Sequence, residues 1–367
     1  MYQGGSPDAN SGVPMCSRGN ISANRSKVPR ATPGAPREFA DSALNVENQS
    51  LMTTPHLAFL FPGQGSQSVG MGKELAEKFS IARHTFDEAD AALGYKLSQV
   101  CFEGPEDQLR LTEITQPAIL AVSVAAYRVL AEKGLKPAFA GGHSLGEYSA
   151  HVAAGTIAFA DALRTVRQRG KYMQQAVPVG VGAMAAILGM EPQKVAALCH
   201  EAAQGEVCGM ANINSPEQIV ISGQAAAIER AVALATGRGA RKAKLLPVSA
   251  PFHCSLMKPA QERLAADLAA LTFSNPAVPV ACNVDAALLT EGESSRDALI
   301  RQVTGSVKWE QCVRLLIAQG VSTFVEVGPG KVLWGLMRQI DRSKTSLYAG
   351  DEATIQKALE QAAAVSA

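Results

Sequence analysis

The sequence Gly142-His143-Ser144-Leu145-Gly146 decides the interpretation of the fold, because it places a serine between glycines two positions away on either side. Residues 138–140 are typical of the end of a buried strand, and residues 147–154 are typical of a helix. A serine at such a strand-to-helix turn is a nucleophile elbow, where the helix N-terminus favours developing negative charge. The pattern predicts that Ser144 is a nucleophile, with an ordinary glycine-flanked turn as the alternative.

Composition and charge limit the class of protein. The chain has 367 residues, 47% of them hydrophobic, and a formal net charge of +1. It is therefore long enough to bury a sizeable core, and it carries no net basic field for nucleic acid. Its seven cysteines are scattered without a Cys-x-x-Cys pair, which fits a reducing cytoplasm. Apolar runs such as residues 57–61 fall far short of the about 20 residues that span a bilayer, so we expect no membrane partner.

The first 52 residues differ from the rest of the chain. They are rich in Ser, Asn, Pro, Gly and Arg and lack apolar periodicity, which predicts a disordered N-terminal extension over residues 1–52. Acidic residues, among them Asp8 and Glu38, interrupt the pattern of a transit peptide. Since Met52 stands just before the first predicted strand, synthesis from Met52 is a second hypothesis.

Strand-like and helical segments alternate from residue 57 onward, which predicts an α/β fold. We expect an α/β-hydrolase-like large domain with a mainly parallel sheet, formed by residues 53–180 and 249–367. Between them, residues 181–248 show the order βαββαβ, which predicts an inserted ferredoxin-like subdomain. Its strands are expected at residues 183–188, 207–213, 219–222 and 243–248. A cleft is expected between the two parts.

A nucleophilic serine needs a base within hydrogen-bond reach, most often a histidine. The chain has six histidines. Five are expected beside the serine, on helices or before the first strand; these are His56, His84, His143, His151 and His200. His253 lies in the loop of residues 249–253, from which it can return to the elbow. An ordinary surface or core histidine is the alternative, so elimination alone leaves the base open.

An acyl-enzyme also needs N–H donors for its oxyanion. The N–H of Leu145 directly follows the nucleophile, and the loop Phe61-Pro62-Gly63-Gln64-Gly65-Ser66-Gln67 follows an early strand. A phosphate-binding loop is one alternative, but the loop lacks a Gly-Lys-Ser/Thr ending and Ser68 stands where a third glycine is required. A simple structural turn is another.

Basic residues crowd the helix predicted after the elbow helix; they are Arg164, Arg167, Arg169 and Lys171. Most such charges face solvent. One that points inward would bind a carboxylate bidentately and select a dicarboxylic acyl group. Periodicity leaves open which residue that is.

Five motifs in one order resemble those of the malonyl-CoA:acyl carrier protein transacylases. They are residues 61–67, Thr115-Gln116-Pro117-Ala118, Gly142-His143-Ser144-Leu145-Gly146-Glu147-Tyr148, Arg169-Gly170-Lys171-Tyr172-Met173-Gln174 and Glu326-Val327-Gly328-Pro329-Gly330-Lys331. The resemblance runs from about residue 57 to about residue 340.

The resemblance implies a ping-pong transfer. Ser144 would take the malonyl group from malonyl-CoA, and the phosphopantetheine thiol of acyl carrier protein would collect it for fatty acid biosynthesis. His253 would be the general base and acid, oriented by the main-chain carbonyl of Gln302. No metal or bound cofactor is implied. We further expect a cytoplasmic monomer.

The resemblance also assigns groups around the serine. The oxyanion donors fall on the amides of Gln64 and Leu145, and the carboxylate-binding residue falls on Arg169. Acetyl-CoA should then be a poor substrate, because it leaves the buried guanidinium unpaired. Phe252 is similar to a bulky residue that crowds an α-methyl group, so methylmalonyl-CoA should fit badly.

Gln116 and Asn214 are weaker candidates for substrate binding, and a structural polar group satisfied by the backbone is the favoured interpretation of each. Arg238, Arg241, Lys242 and Lys244 form a cluster that either docks the acidic carrier protein or is a solvated face.

Three other functions remain open. They are a serine esterase or thioesterase, a discrete acyltransferase of a polyketide pathway, and a docking subunit without catalysis.

Overall fold

The computed structural model describes residues 54–248 and 250–366. The predicted extension over residues 1–52 and the start at Met52 lie outside the described residues. Within them, ten strands alternate with helices: β1 (Thr54–Phe61), β2 (Pro137–Gly142), β3 (Gly182–Leu188), β4 (Cys208–Ser215), β5 (Gln218–Gln224), β6 (Lys242–Leu245), β7 (Val280–Cys282), β8 (Ala287–Leu289), β9 (Thr323–Val327) and β10 (Thr345–Ala349).

Most of the helices flank these strands. They are α1 (Lys73–Lys78), α2 (Ser80–Leu93), α3 (Leu97–Glu103), α4 (Glu106–Leu109), α5 (Thr112–Glu132), α6 (Leu145–Ala153), α7 (Phe159–Gln175), α8 (Pro192–Ala203), α9 (Ala225–Gly237), α10 (Lys258–Ala269), α11 (Gly292–Gln302), α12 (Trp309–Ala318), α13 (Val332–Ile340) and α14 (Glu352–Ser366).

The larger sheet has six strands in the order β10-β9-β1-β2-β7-β8. Every neighbouring pair is parallel except β7 and β8, which are antiparallel. Residues 57–61 of β1 are at most 1% exposed, as expected for a central parallel strand covered on both faces. The predicted mixed α/β fold with a mainly parallel sheet is confirmed.

Helix α5 packs deep in this layer. It has 21 residues, and an 18-residue stretch within it has a mean hydropathy of 1.4, so the helix is long and apolar enough to cross a membrane; however, 83% of that stretch is buried inside the protein. Among the described helices, α5 alone is both long enough and apolar enough to cross a membrane. Because most of it is buried, its apolar composition is explained by packing in the core of the protein.

The smaller sheet has four strands in the order β4-β5-β3-β6, and every neighbouring pair is antiparallel. Helices α8 and α9 pack against it and share an apolar cluster that includes Ile187, Leu198 and Ile221. Strand β4 of this sheet contacts the segment between α11 and α12. There, Ile213 donates its N–H to the carbonyl of Val307 at 2.9 Å. This contact fixes one wall of the site described below.

Some predicted boundaries were wrong. Strand β6 ends at Leu245 rather than at residue 248. The N–H of Leu246 still donates to the carbonyl of Met184 at 2.9 Å, but beyond it the chain leaves the sheet, and Leu246 and Val248 pack against a separate apolar cluster. Helix α6 begins at Leu145, two residues earlier than expected. His56 lies within β1 rather than before it.

The basic cluster on the smaller part is partly neutralised. Arg238 pairs with Glu201 at 2.7 Å, and Arg241 pairs with Glu217 at 2.9 Å. The other two cations of this cluster, Lys242 and Lys244 on β6, are exposed and form no ion pair with any described residue.

His151 is a fully buried histidine on α6, and neither ring nitrogen has a hydrogen-bond partner among the described residues. Burial lowers its pKa from 6.5 to about 3. Between these pH values the unfolded chain binds a proton that the folded chain does not, so this residue destabilises the fold as the pH falls. We expect His151→Leu to gain stability relative to the parent by about 1.4 kcal/mol per pH unit below pH 6.5.

Urea unfolding at pH 7, 6, 5 and 4 measures this difference. The matched control is His200→Leu, which removes an exposed imidazole on α8. Parallel pH curves for His151→Leu and the parent would contradict the prediction.

Candidate active site

The elbow at Ser144 is built by the turn from β2 into α6. Ser144 has φ 52° and ψ −105°, a conformation that non-glycine residues rarely adopt and that marks functional sites. A Cβ on Gly142 would lie 2.0 Å from the backbone of Gly146, and a Cβ on Gly146 would lie 2.0 Å from the carbonyl oxygen of Phe61. Gly142 therefore allows the chain to turn sharply from β2 into α6, and Gly146 allows that turn to lie against the end of β1.

His253 completes the pair with the serine. Its Nε2 lies 2.7 Å from Ser144 Oγ, and its Nδ1 lies 2.9 Å from the main-chain oxygen of Gln302. A carbonyl only accepts hydrogen bonds, so Nδ1 carries the proton and Nε2 presents its lone pair to the serine hydroxyl. This is the arrangement of a general base beside its nucleophile. His253 also has a positive φ of 59°, which non-glycine residues rarely adopt.

The environment keeps His253 neutral. Burial is the main cause, and the charge of Arg169 adds to it; together they lower the pKa of His253 to about 3. A neutral imidazole at physiological pH is available to accept the serine proton.

Arg169 lies on the buried face of α7 and is 2% exposed. Its Nη2 donates to Ser144 Oγ at 3.1 Å and to Gln302 Oε1 at 2.9 Å, while Nη1 donates to Gln116 Oε1 at 2.8 Å. The guanidinium thus lies beside the nucleophile with neutral amide partners. A ligand carboxylate could bind this planar group through two parallel hydrogen bonds.

The two predicted oxyanion donors line the same cavity as Ser144. Leu145 is the first residue of α6, so its N–H is among those that a helix leaves without an internal partner. Gln64 lies in the loop that follows β1. Their role as oxyanion donors stays a prediction.

This cavity has a volume of about 250 Å³ and contains Ser144, His253 and Arg169 in its lining. The volume is large enough for a small acyl group, although the cavity is not closed on all sides. Phe252 is half-buried at its wall, beside Met184 and Val220 of the smaller sheet.

The two weaker candidates also line the cavity, and both have side-chain partners. Gln116 binds Arg169 rather than the backbone. The Oδ1 of Asn214 accepts a hydrogen bond from Nε2 of His143 at 2.8 Å. The sequence favours backbone partners for these two polar side chains, but in the structure both are hydrogen-bonded to other side chains.

Sequence reasoning missed three groups beside Ser144. Asn283 follows β7, and its Oδ1 accepts the Ser144 N–H at 2.7 Å. Glu147 is fully buried on α6 and accepts from the side chain of Gln302 at 2.8 Å. The side chain of Gln302 was also missed, since only its carbonyl was expected to matter.

One signal for Arg169 was present in the sequence. Ala162, Val166 and Met173 are buried on α7 at helical spacing, and Arg169 falls on the same stripe. A charge inside an apolar stripe indicates an inward-facing residue. Asn283, by contrast, follows a strand of only three residues and has no local pattern that singles it out.

Among the residues described, no group of three or more His, Cys, Asp or Glu side chains has an arrangement that could hold a metal ion.

Comparisons with known proteins agree with the fold and the order of the motifs. A family model described as the acyl transferase domain matches residues 58–357. The chain is 51% identical over 304 residues to the malonyl CoA-acyl carrier protein transacylase of Escherichia coli strain K12, covering 83% of this chain and 98% of that protein.

Two solved structures are also similar. A crystal structure of an acyl carrier protein S-malonyltransferase from Vibrio cholerae O1 has a TM-score of 0.81 and 49% identity, covering 83% of this chain and 99% of that one. A malonyl-transacylase in complex with a type II polyketide synthase acyl-carrier protein has a TM-score of 0.82 and 45% identity, with coverage of 83% and 99%. From the family match and these identities, the chain belongs to the acyl transferase family.

Proposed function

We propose that this chain transfers the malonyl group of malonyl-CoA to the phosphopantetheine thiol of acyl carrier protein, through a malonyl ester on Ser144, for fatty acid biosynthesis. One observation carries the proposal. A nucleophile paired with a base lies 3.1 Å from a buried guanidinium in one cavity, so the site offers a position for an acyl carbon and one for a free carboxylate. The names of the similar proteins support the same activity.

The chemistry follows from the contacts. Nε2 of His253 takes the Ser144 proton as Oγ attacks the thioester carbonyl, and the N–H groups of Gln64 and Leu145 receive the oxyanion. The carbon–sulfur bond then breaks, and the CoA thiolate leaves with the proton from His253. The thiol of the carrier protein reverses these steps and frees the serine.

Each remaining residue has a proposed part. Arg169 binds the malonyl carboxylate, and the carbonyl of Gln302 fixes the tautomer of His253. Phe252 crowds an α-methyl group, which its position on the cavity wall supports. Gln116 holds Arg169 by its amide oxygen, and Asn214 contacts substrate from the side of the smaller sheet. No metal or bound cofactor is part of the proposal.

The finer architecture is also a proposal. The order β3-α8-β4-β5-α9-β6 and the arrangement β4-β5-β3-β6 support a ferredoxin-like subdomain over residues 181–248. The elbow and parallel sheet support an α/β-hydrolase-like large domain over residues 53–180 and 249–367. We propose a cytoplasmic monomer.

A discrete acyltransferase of a polyketide pathway is the second candidate. It is favoured by the similar transacylase whose structure contains a type II polyketide synthase carrier protein. Both candidates share the same chemistry and differ in the carrier protein that receives the acyl group.

Intact-mass measurement tests the proposal. The chain is incubated with malonyl-CoA and then with a fatty-acid carrier protein or a polyketide carrier protein, each bearing phosphopantetheine. We expect one malonyl group on the chain and its transfer to the fatty-acid carrier. Preferential transfer to the polyketide carrier would favour the second candidate. Malonate release that keeps pace with or without a carrier would instead identify a thioesterase.

A further inference from the structure

Glu147 is a buried carboxylate that the proposed transfer does not use. It lies three residues after Ser144 on α6 and has no exposed surface. Its Oε2 accepts one hydrogen bond from Gln302 Nε2 at 2.8 Å and another from the main-chain N–H of Asn283 at 3.0 Å. Its other oxygen has no hydrogen-bond partner among the described residues.

The first partner of Glu147 joins the base to the guanidinium. The main-chain oxygen of Gln302 holds Nδ1 of His253 at 2.9 Å, and its side-chain Oε1 accepts from Arg169 at 2.9 Å. Its Nε2, the atom that Glu147 accepts from, also donates to the main-chain oxygen of Ser144. One residue therefore contacts all three groups.

The second partner braces the elbow. The side chain of Asn283 accepts the N–H of Ser144 at 2.7 Å and donates to the carbonyl of Gly142 at 2.7 Å. By holding the main-chain N–H of Asn283, Glu147 fixes the point from which that side chain extends.

We propose that Glu147 is a positioning residue, whose carboxylate holds Gln302 and Asn283 so that Ser144, His253 and Arg169 keep their mutual geometry. The inference rests on the proposed function, since it names the support for that same site. Residues that orient reacting groups in this way typically affect activity by about 10- to 100-fold when altered.

Two roles of the carboxylate have to be separated. As an acceptor, it fixes two donors by its position. As a charge, it lies near the buried guanidinium of Arg169. Burial raises the pKa of Glu147 to about 7, although the hydrogen bonds from Gln302 and Asn283 and the charge of Arg169 act in the opposite direction. Glu147→Gln keeps an oxygen for both donors and removes the charge. Glu147→Asp keeps the charge and draws the oxygens back by one methylene, out of reach of both donors.

Malonyl transfer kinetics and thermal unfolding of both variants form the first test. The positioning role predicts that kcat of Glu147→Gln stays within about threefold of the parent, while kcat of Glu147→Asp falls by about 10- to 100-fold. The reverse order would show that the charge matters instead and would overturn the inference.

Asp90→Asn is the control variant. Asp90 is a buried carboxylate on α2 that likewise accepts from one main-chain and one side-chain donor, both of Ser98. This variant should leave kcat unchanged, whatever its effect on stability.

A double-mutant cycle forms the second test. If Glu147 acts partly through Gln302, Glu147→Asp should lower kcat by a smaller factor in the Gln302→Leu background than in the parent, because only the route through Asn283 is left. An undiminished factor, so that the two losses multiply in kcat, would mean that Glu147 acts independently of Gln302, and would overturn the inference. The malonyl adduct of the unaltered chain separates the two proposals: its absence defeats the proposed function and this inference together, whereas an intact adduct with multiplying losses defeats the inference alone.

Discussion

Ser144→Ala should abolish the malonyl adduct on the chain and lower malonyl transfer by at least about 10⁴-fold, because removal of a nucleophile leaves only binding and oxyanion stabilisation. The substitution removes one oxygen from a turn whose glycines and φ are otherwise unchanged. We therefore expect the fold to be retained, with a thermal midpoint close to that of the parent. Intact-mass measurement after incubation with malonyl-CoA gives the result directly.

Ser149→Ala is the matched control for this substitution. Ser149 is also buried on α6, and its hydroxyl has no hydrogen-bond partner among the described residues. Its loss should leave the adduct in place. An adduct that survives in Ser144→Ala would move the nucleophile to another residue.

Arg169→Ala should remove the preference for malonyl-CoA over acetyl-CoA. A substrate without a carboxylate leaves the buried guanidinium with neutral hydrogen-bond partners only, and so loses a buried charge pair worth about 2–5 kcal/mol. The ratio of kcat/KM values for the two substrates should thus fall by about 30- to 5,000-fold in the variant. Since the charge of Arg169 also lowers the pKa of His253, its removal makes the base stronger, and acetyl transfer should not decline with malonyl transfer.

Two further variants test whether the preference for malonyl-CoA depends on the planar pair of donors of Arg169 or on its positive charge. Arg169→Lys keeps a positive charge but loses the planar pair of donors, so we expect discrimination between that of the parent and that of Arg169→Ala. Arg164→Ala changes an exposed arginine on the same helix, which pairs with Asp161 at 2.6 Å, and should have no effect. Equal losses for both substrates in Arg169→Ala would remove the carboxylate clamp from the mechanism.

The elbow could be predicted from the sequence because its pattern is local: Gly142, Ser144 and Gly146 lie within one turn. The steric need for Gly142 arises inside that turn, against the backbone of Gly146, whereas the need for Gly146 arises from Phe61 of β1 and is visible only in the fold. The mixed α/β fold could be predicted for a similar reason, since apolar runs and helical spacing repeat along the chain. The end of β6 could not, because an apolar pattern such as Leu246 and Val248 indicates burial and does not specify a ladder partner.

Most of the support for the site depends on contacts between distant residues. Asn283 is 139 positions from Ser144, and the side chain of Gln302 is 155 positions from Glu147. No local pattern records such pairings, because they arise only when β1, β2 and β7 align their carboxyl ends at one edge of the sheet. Arg169 is an intermediate case: it falls on the buried stripe of α7, but periodicity left open which basic residue points inward, and the resemblance assigned it.

The serine and its base are 109 positions apart, with the whole antiparallel sheet between them, and the carbonyl that fixes the base comes 49 positions later still. During translation, a nascent chain that ends before residue 253 carries the elbow without its imidazole. Contacts of such long separation also form late in folding. Because the proposed acylation needs this imidazole, we expect nascent chains that end before residue 253 to leave Ser144 unacylated.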